Sequence, residues 1–134
     1  MKIFVILYLA LVVASCSSTS VSNVASVNFE KIEYNFGVLR YGQVPIYNFK
    51  FTNQGDTPLF IQNVKTSCGC TVPQWPKKPI KPGGGGKITI KYDAAFPGAF
   101  NKTISVYFNG EGSPATLHIK GQVEYPDDLK EENR

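Results

Sequence analysis

The sequence predicts an all-β chain: a single immunoglobulin-like antiparallel β-sandwich of about seven strands. Three observations carry this. Apolar residues recur at every second position in short segments, as in strands with one buried and one wet face. Turn-forming clusters of Gly, Pro, Asn and Asp separate those segments at intervals of roughly ten residues. No long segment repeats apolar residues at helical spacing. A small closed barrel is the alternative arrangement of the same strands.

The chain opens with Met1-Lys2, followed by an almost unbroken apolar run over residues 3–14. That run is shorter than the roughly 20 residues a membrane-spanning helix needs. A basic start, an apolar middle and small residues before a cut are the layout of a secretory signal, here residues 1–15. The sequence Val13-Ala14-Ser15-Cys16 resembles the lipobox of bacterial lipoproteins, in which the cysteine thiol accepts a diacylglyceryl group. Cys16 is therefore the expected lipidation site, and residues 16–26, rich in serine, read as a flexible tether. The chain is then expected at the bacterial cell envelope, lipid-anchored, facing the periplasm or on the outer membrane.

Cleavage before Cys16 leaves 119 of the 134 residues, enough for one domain with one core. Formal charge is +4 for the whole chain, which is mild, and the lysines that gather after the cysteines (Lys77, Lys78, Lys81, Lys87 and Lys91) read as solvated surface rather than as a nucleic-acid face. A nucleic-acid partner is not expected.

Within the domain, residues 27–124, the first strand falls at 27–33, with Val27, Phe29 and Ile32 as its apolar residues and a turn at Gly37. From 44 to 52, Tyr47, Phe49 and Phe51 oppose Asn48, Lys50 and Thr52, the cleanest alternation in the chain. A turn at 53–58 leads to a strand at 59–65, with Leu59 and Ile61 on one face. The proline- and glycine-rich stretch 76–86 is unsuited to a central strand. Ile88, Ile90 and Tyr92 alternate with Thr89 and Lys91; Ile104, Val106 and Phe108 alternate with Ser105 and Tyr107; Leu117 and Ile119 alternate with Thr116, His118 and Lys120. Residues 125–134 read as an acidic disordered tail.

The segment that stands apart is Thr66-Ser67-Cys68-Gly69-Cys70-Thr71, followed closely by Trp75, the chain's one tryptophan. With Cys16 lipidated, Cys68 and Cys70 are the remaining pair, and an oxidising compartment makes them a disulfide candidate. In an extended strand their Cα atoms would be about 6.6 Å apart, at the upper limit for a disulfide. The backbone must bend, and Gly69 is the residue expected to allow it. So small a ring constrains little of the unfolded chain, which leaves a redox role open beside that of a local staple. Two thiolates also suit a soft ion such as Cu(I), whereas zinc would need further ligands beyond the single histidine, His118. Lys65, Lys77 and Lys78 are the cations that proximity in sequence makes candidates to assist a thiolate. No Ser, His and acid combination reads as a triad, and the glycines at 83–86 lack the spacing of a phosphate loop.

Taken together, Phe36-Gly37, Phe49, Asn53, Gly55, Pro58-Leu59, Ser67-Cys68-Gly69-Cys70-Thr71, Pro79-Ile80, Pro82-Gly83, Tyr92-Asp93 and Gly98 resemble the bacterial DUF1573 family over residues 29–123. The resemblance implies a single immunoglobulin-like domain, often exported and often a lipoprotein, and it implies no reaction. The functional expectation is a non-enzymatic, lipid-anchored module that binds an envelope protein or surface component through loops or an exposed sheet edge, without a cofactor. The alternative is a thiol-based redox or Cu(I)-handling protein acting through Cys68 and Cys70, with Gly69 and Trp75 in the loop that presents them.

Overall fold

The computed structural model describes residues 23–130. The expected signal at 1–15, the lipidation site Cys16, most of the tether and the last four residues lie outside the described residues.

Among the described residues eight strands form two four-stranded sheets packed face to face. Sheet I has the order β1-β3-β6-β5, from β1 (Val27–Phe29), β3 (Ile46–Asn53), β6 (Gly85–Tyr92) and β5 (Thr71–Gln74). Sheet II has the order β2-β8-β7-β4, from β2 (Glu33–Leu39), β8 (Ala115–Val123), β7 (Gly98–Phe108) and β4 (Ile61–Thr66). All pairs are antiparallel except β2 with β8, which run parallel.

The alternation read in the sequence sets the core. Phe49 and Phe51 from β3, Ile88, Ile90 and Tyr92 from β6, Ile104, Val106 and Phe108 from β7, and Leu117, Ile119 and Val123 from β8 are all buried between the sheets. Each such side chain contributes about 1.5–3 kcal/mol relative to leaving it in water. Tyr47 lies at the margin of this layer, stacked on Tyr34 of the opposite sheet with ring centroids 3.6 Å apart. Two bulges repair breaks in the alternation. In β4 the register shifts between Ile61 and Asn63, which brings Val64 to the core beside Ile61. In β2 it shifts between Asn35 and Val38, where Gly37 takes φ 69° and donates its N–H to Asn35 Oδ1 at 2.8 Å, so Leu39 is buried. A glycine expected to turn the chain makes a bulge instead.

Other expectations are corrected. The segment 27–33 is not one strand: the chain leaves sheet I after Phe29 and enters sheet II at Glu33, leaving Ile32 exposed between them. The tether does not run to residue 26, because Ala25 is buried and bridges Gly110. Gly85 and Gly86 belong to β6, opposite Thr52 and Phe51, although the stretch was expected to avoid a central strand. The reason is steric: a Cβ on Gly86 would stand 2.6 Å from the Phe51 ring. After Tyr125, where disorder is expected, Asp127–Lys130 form one helical turn, α1.

Among the described residues Asn53 is the one fully buried side chain with an amide. Its Nδ2 donates to the carbonyls of Thr57 (2.8 Å) and Ile80 (3.0 Å), and its Oδ1 accepts the Gly55 N–H at 3.0 Å. It thereby ties the 53–58 turn to the proline-rich segment that links β5 to β6.

Candidate functional site: the disulfide turn between the sheets

β4 is an edge strand of sheet II and β5 an edge strand of sheet I. The four residues between them, Ser67, Cys68, Gly69 and Cys70, carry the chain across the open side of the sandwich. A strand change of this kind demands a sharp bend, and the two cysteines sit within it. Their Cα atoms are 5.3 Å apart and their sulfurs are joined as a disulfide.

Hydrogen bonds from both sheets fix the turn. Thr66 Oγ1 donates to the Cys68 carbonyl at 2.9 Å and lies 3.2 Å from the Thr71 carbonyl. Ser67 N–H donates to the Thr103 carbonyl on β7 at 2.9 Å, and the Thr103 N–H returns to Ser67 Oγ at 3.0 Å. On the other side, the Asp93 N–H donates to the Cys70 carbonyl at 2.8 Å. Thr71 is buried, and its Oγ1 stands 3.3 Å from Cys68 Sγ.

Both cysteines are half-buried. Cys70 opens on a groove of about 380 Å³ shared with Val44, Gly69, Val72, Lys91 and Asp93. Beside it the outer face of sheet I carries an apolar strip: Ile46 and Val72 lie on either side of Lys91 in register, with Val44 next to them. These three side chains are 59%, 51% and 44% exposed. A larger concavity of about 630 Å³, lined by Arg40, Tyr41 and the segment after Val123, does not include the cysteines.

The sequence-derived site is only partly assembled. Gly69 sits at the tip of the turn, but its φ is outside the left-handed region and a Cβ there would meet nothing within 4 Å. The bend therefore does not depend on glycine, contrary to expectation; a side chain at this position would point into open space. Trp75 lies just beyond β5 and packs against the core, lining a separate groove with Gln74, Pro76, Lys87 and Thr89. Its Nε1 is buried without a hydrogen-bond partner, and its ring is covered by Lys77 Nζ at 3.2 Å. Lys65 lies over Tyr107 at 5.3 Å. Neither lysine lines the disulfide groove; Lys91, which sequence proximity did not single out, does.

His118 occupies the polar parity of β8, half-buried, with Nδ1 3.5 Å from Thr103 Oγ1. Glu33, its neighbour on β2, is paired with Lys120 at 2.6 Å. Among the described residues no three His, Cys, Asp or Glu side chains come together as a metal site. The two sulfurs, bonded to each other, are not thiolates, so in this state they do not fit Cu(I). Tyr92, beneath the groove wall, has its phenol pushed above the usual tyrosine range by burial and by the Asp93 carboxylate.

Thr71 closes the cysteine motif itself, whereas Lys91, Val44 and Val72 were not found by motif reading. Those three come from β6, the loop before β3 and β5, and meet only in the folded sheet.

Solved structures share this architecture. A protein of unknown function from Porphyromonas gingivalis W83 is 21% identical, with a TM-score of 0.64, covering 81% of this chain and 50% of that one. The chain thus spans about half the length of that relative. The ASH/PapD-like domain 7 of human CEP192 is 11% identical with a TM-score of 0.65, covering 78% of this chain and 89% of that domain. The VesB protease of Vibrio cholerae is 16% identical with a TM-score of 0.57, covering 77% of this chain and 32% of the protease. At these identities the likeness is one of fold. No curated protein matches the chain in sequence. The model of the DUF1573 family, described as a protein of unknown function, matches residues 27–123, and the chain belongs to that family.

Proposed function

We propose that the chain is an exported, lipid-anchored immunoglobulin-like module that works at the bacterial envelope by binding a protein or surface component rather than by catalytic turnover. The observation that carries the reading is the apolar strip Val44, Ile46 and Val72 on the outer face of sheet I. Three aliphatic side chains are each at least 44% exposed on this face: Ile46 and Val72 flank Lys91 in register, and Val44 lines the groove with Val72, which makes them an apolar patch rather than scattered surface residues. Lys91 between them and Asp93 at the groove provide the polar contacts that give such a patch orientation. The lipobox reading of Cys16 supplies the anchor and the address.

The test is in-cell cross-linking of the full chain carrying a tag, compared with an Ile46→Asp, Val72→Asp double variant. Both substitutions are on the wet face, so the fold is retained. The expected result is one or a few cross-linked envelope components that vanish in the variant. The same components recovered with wild type and variant would refute the face as the binding site, and none above a tagged control would refute the binding role.

A further inference from the structure

The disulfide turn keeps its shape through bonds that do not involve either sulfur. Thr66 and Ser67 hold one side of it to sheet II, and Asp93 holds the other to sheet I. A turn fixed in this way can lose and regain its S–S bond without the scaffold coming apart, which is the requirement for a reversible redox centre.

We propose that Cys68 and Cys70 form a thiol–disulfide exchange centre that oxidises a dithiol, with Cys70 as the sulfur attacked and Cys68 as the sulfur released. The two positions differ in their surroundings. Cys70 packs against the core on one side and on the other lines the groove that it shares with Gly69 and Lys91, so an incoming thiolate has a path and a lysine within the same groove. Cys68 Sγ faces the buried Thr71 hydroxyl at 3.3 Å. A hydroxyl that donates to a departing sulfur stabilises its thiolate and makes it the better leaving group.

The chemistry balances as follows. One thiolate of the dithiol attacks Cys70 Sγ, a mixed disulfide forms, and the Cys68–Cys70 bond breaks with its electron pair retained by Cys68 Sγ under the Thr71 O–H. The second thiolate of the dithiol then attacks the dithiol sulfur of that mixed disulfide and releases Cys70. The dithiol loses two electrons and two protons and becomes a disulfide; Cys68 and Cys70 gain them and become thiols. One chain oxidises one dithiol, so the exchange stands independently of the binding role proposed above.

The experiment follows reduction of the oxidised full chain by dithiothreitol, comparing wild type with Thr71→Val, Thr71→Ser and Gly69→Leu, each checked for folding by circular dichroism. Thr71→Val keeps the branched shape and removes the hydroxyl; it should react about tenfold more slowly, the loss expected for one hydrogen bond to a charged group. Thr71→Ser should restore the rate, and Gly69→Leu should slow it by covering the bond. In the reduced protein, the pH profile of Cys68 alkylation should move to higher pH in Thr71→Val, with the Cys70 profile unchanged. Reduction of Thr71→Val at the wild-type rate with an unchanged alkylation profile would overturn the assignment of Cys68 as leaving group. A wild-type disulfide that resists dithiothreitol until the domain unfolds would overturn the exchange centre altogether.

Discussion

Replacing both sulfurs, Cys68→Ser with Cys70→Ser, separates a reactive pair from a staple. The bond links residues two apart in sequence, so it closes a loop of only three residues. The chain-entropy expression for cross-links gives about 1.6 kcal/mol for a loop that short, against about 4.7 kcal/mol for one of 100 residues. The native turn gives no reason to add to that figure, because its backbone is anchored by Thr66, Ser67 and the Asp93 N–H, none of which the substitution touches. The Cys68 Sγ contact with Thr71 Oγ1 is replaced by a hydroxyl–hydroxyl contact of similar reach. Equilibrium unfolding in urea is the assay. With a slope typical of a small domain, the midpoint should fall by about 1 M and the slope should be unchanged. Reduced wild type should behave like the variant, since both lack the same constraint. A loss above about 3 kcal/mol, or a variant that fails to fold, would show that the bond is a structural staple and would refute the reasoning.

Four further substitutions test the scaffold around the turn. Asn53→Leu leaves the Thr57 carbonyl and the Gly55 N–H without their Asn53 partner, while the Ile80 carbonyl keeps the Leu59 N–H. At about 1–3 kcal/mol for each unsatisfied group, it should cost about 2–4 kcal/mol in a denaturation experiment, and a cost below 1 kcal/mol would contradict the clamp. Gly86→Ala places a Cβ 2.6 Å from the Phe51 ring and should destabilise by about 1–3 kcal/mol, whereas Gly69→Ala, facing open space, should stay within about 0.5 kcal/mol of wild type. Tyr92 has a folded-state pKa raised by burial and by Asp93, so the neutral phenol is the form the fold favours. Its contribution is complete below the unfolded value near 10 and is lost as pH rises from there through the higher folded value. Stability measured between pH 8 and 11 should therefore fall less steeply in Tyr92→Phe, and an identical fall would show that another group governs the alkaline limb.

The core was legible because period-two alternation survives in the strands that are buried on one face. Phe49, Ile90, Val106 and Ile119 could each be placed from their own neighbours alone. What failed were the features fixed by distant residues. β5 contains Pro73 and buries only Thr71, so nothing local marks it as a strand; it forms because Val72 and Gln74 find Lys91 and Thr89 across the sheet. The glycines at 85 and 86 look like loop until Phe51 is seen to need the space above Gly86. The division of residues 27–39 between two sheets follows from the parallel pairing of β2 with β8, a contact that spans most of the chain. At the site, the cysteine pair was visible as a motif, while Thr71 and Lys91 acquire their roles only through the crossing from one sheet to the other.

That crossing also decides how a partner can be met. Strand addition needs a row of unpaired N–H and C=O groups along a sheet edge. On β5 the Cys70 carbonyl is bonded to Asp93, so by the alternation of an antiparallel ladder Val72 and Gln74 face β6 while Thr71 and Pro73 face outward. Thr71 has its carbonyl occupied by Thr66 Oγ1 and its N–H turned to the Cys68 carbonyl, and Pro73 has no N–H to offer. On β4 the Val64 N–H is taken by Asn63 Oδ1, and on β2 the Gly37 N–H is taken by Asn35 Oδ1 at a bulge. β1 is three residues long. The edges are thus blunted by the chain's own side chains, which argues against β-pairing as the mode of recognition. The wet face of sheet I, with its aliphatic strip running up to the disulfide, is where apolar surface and reactive sulfur coincide.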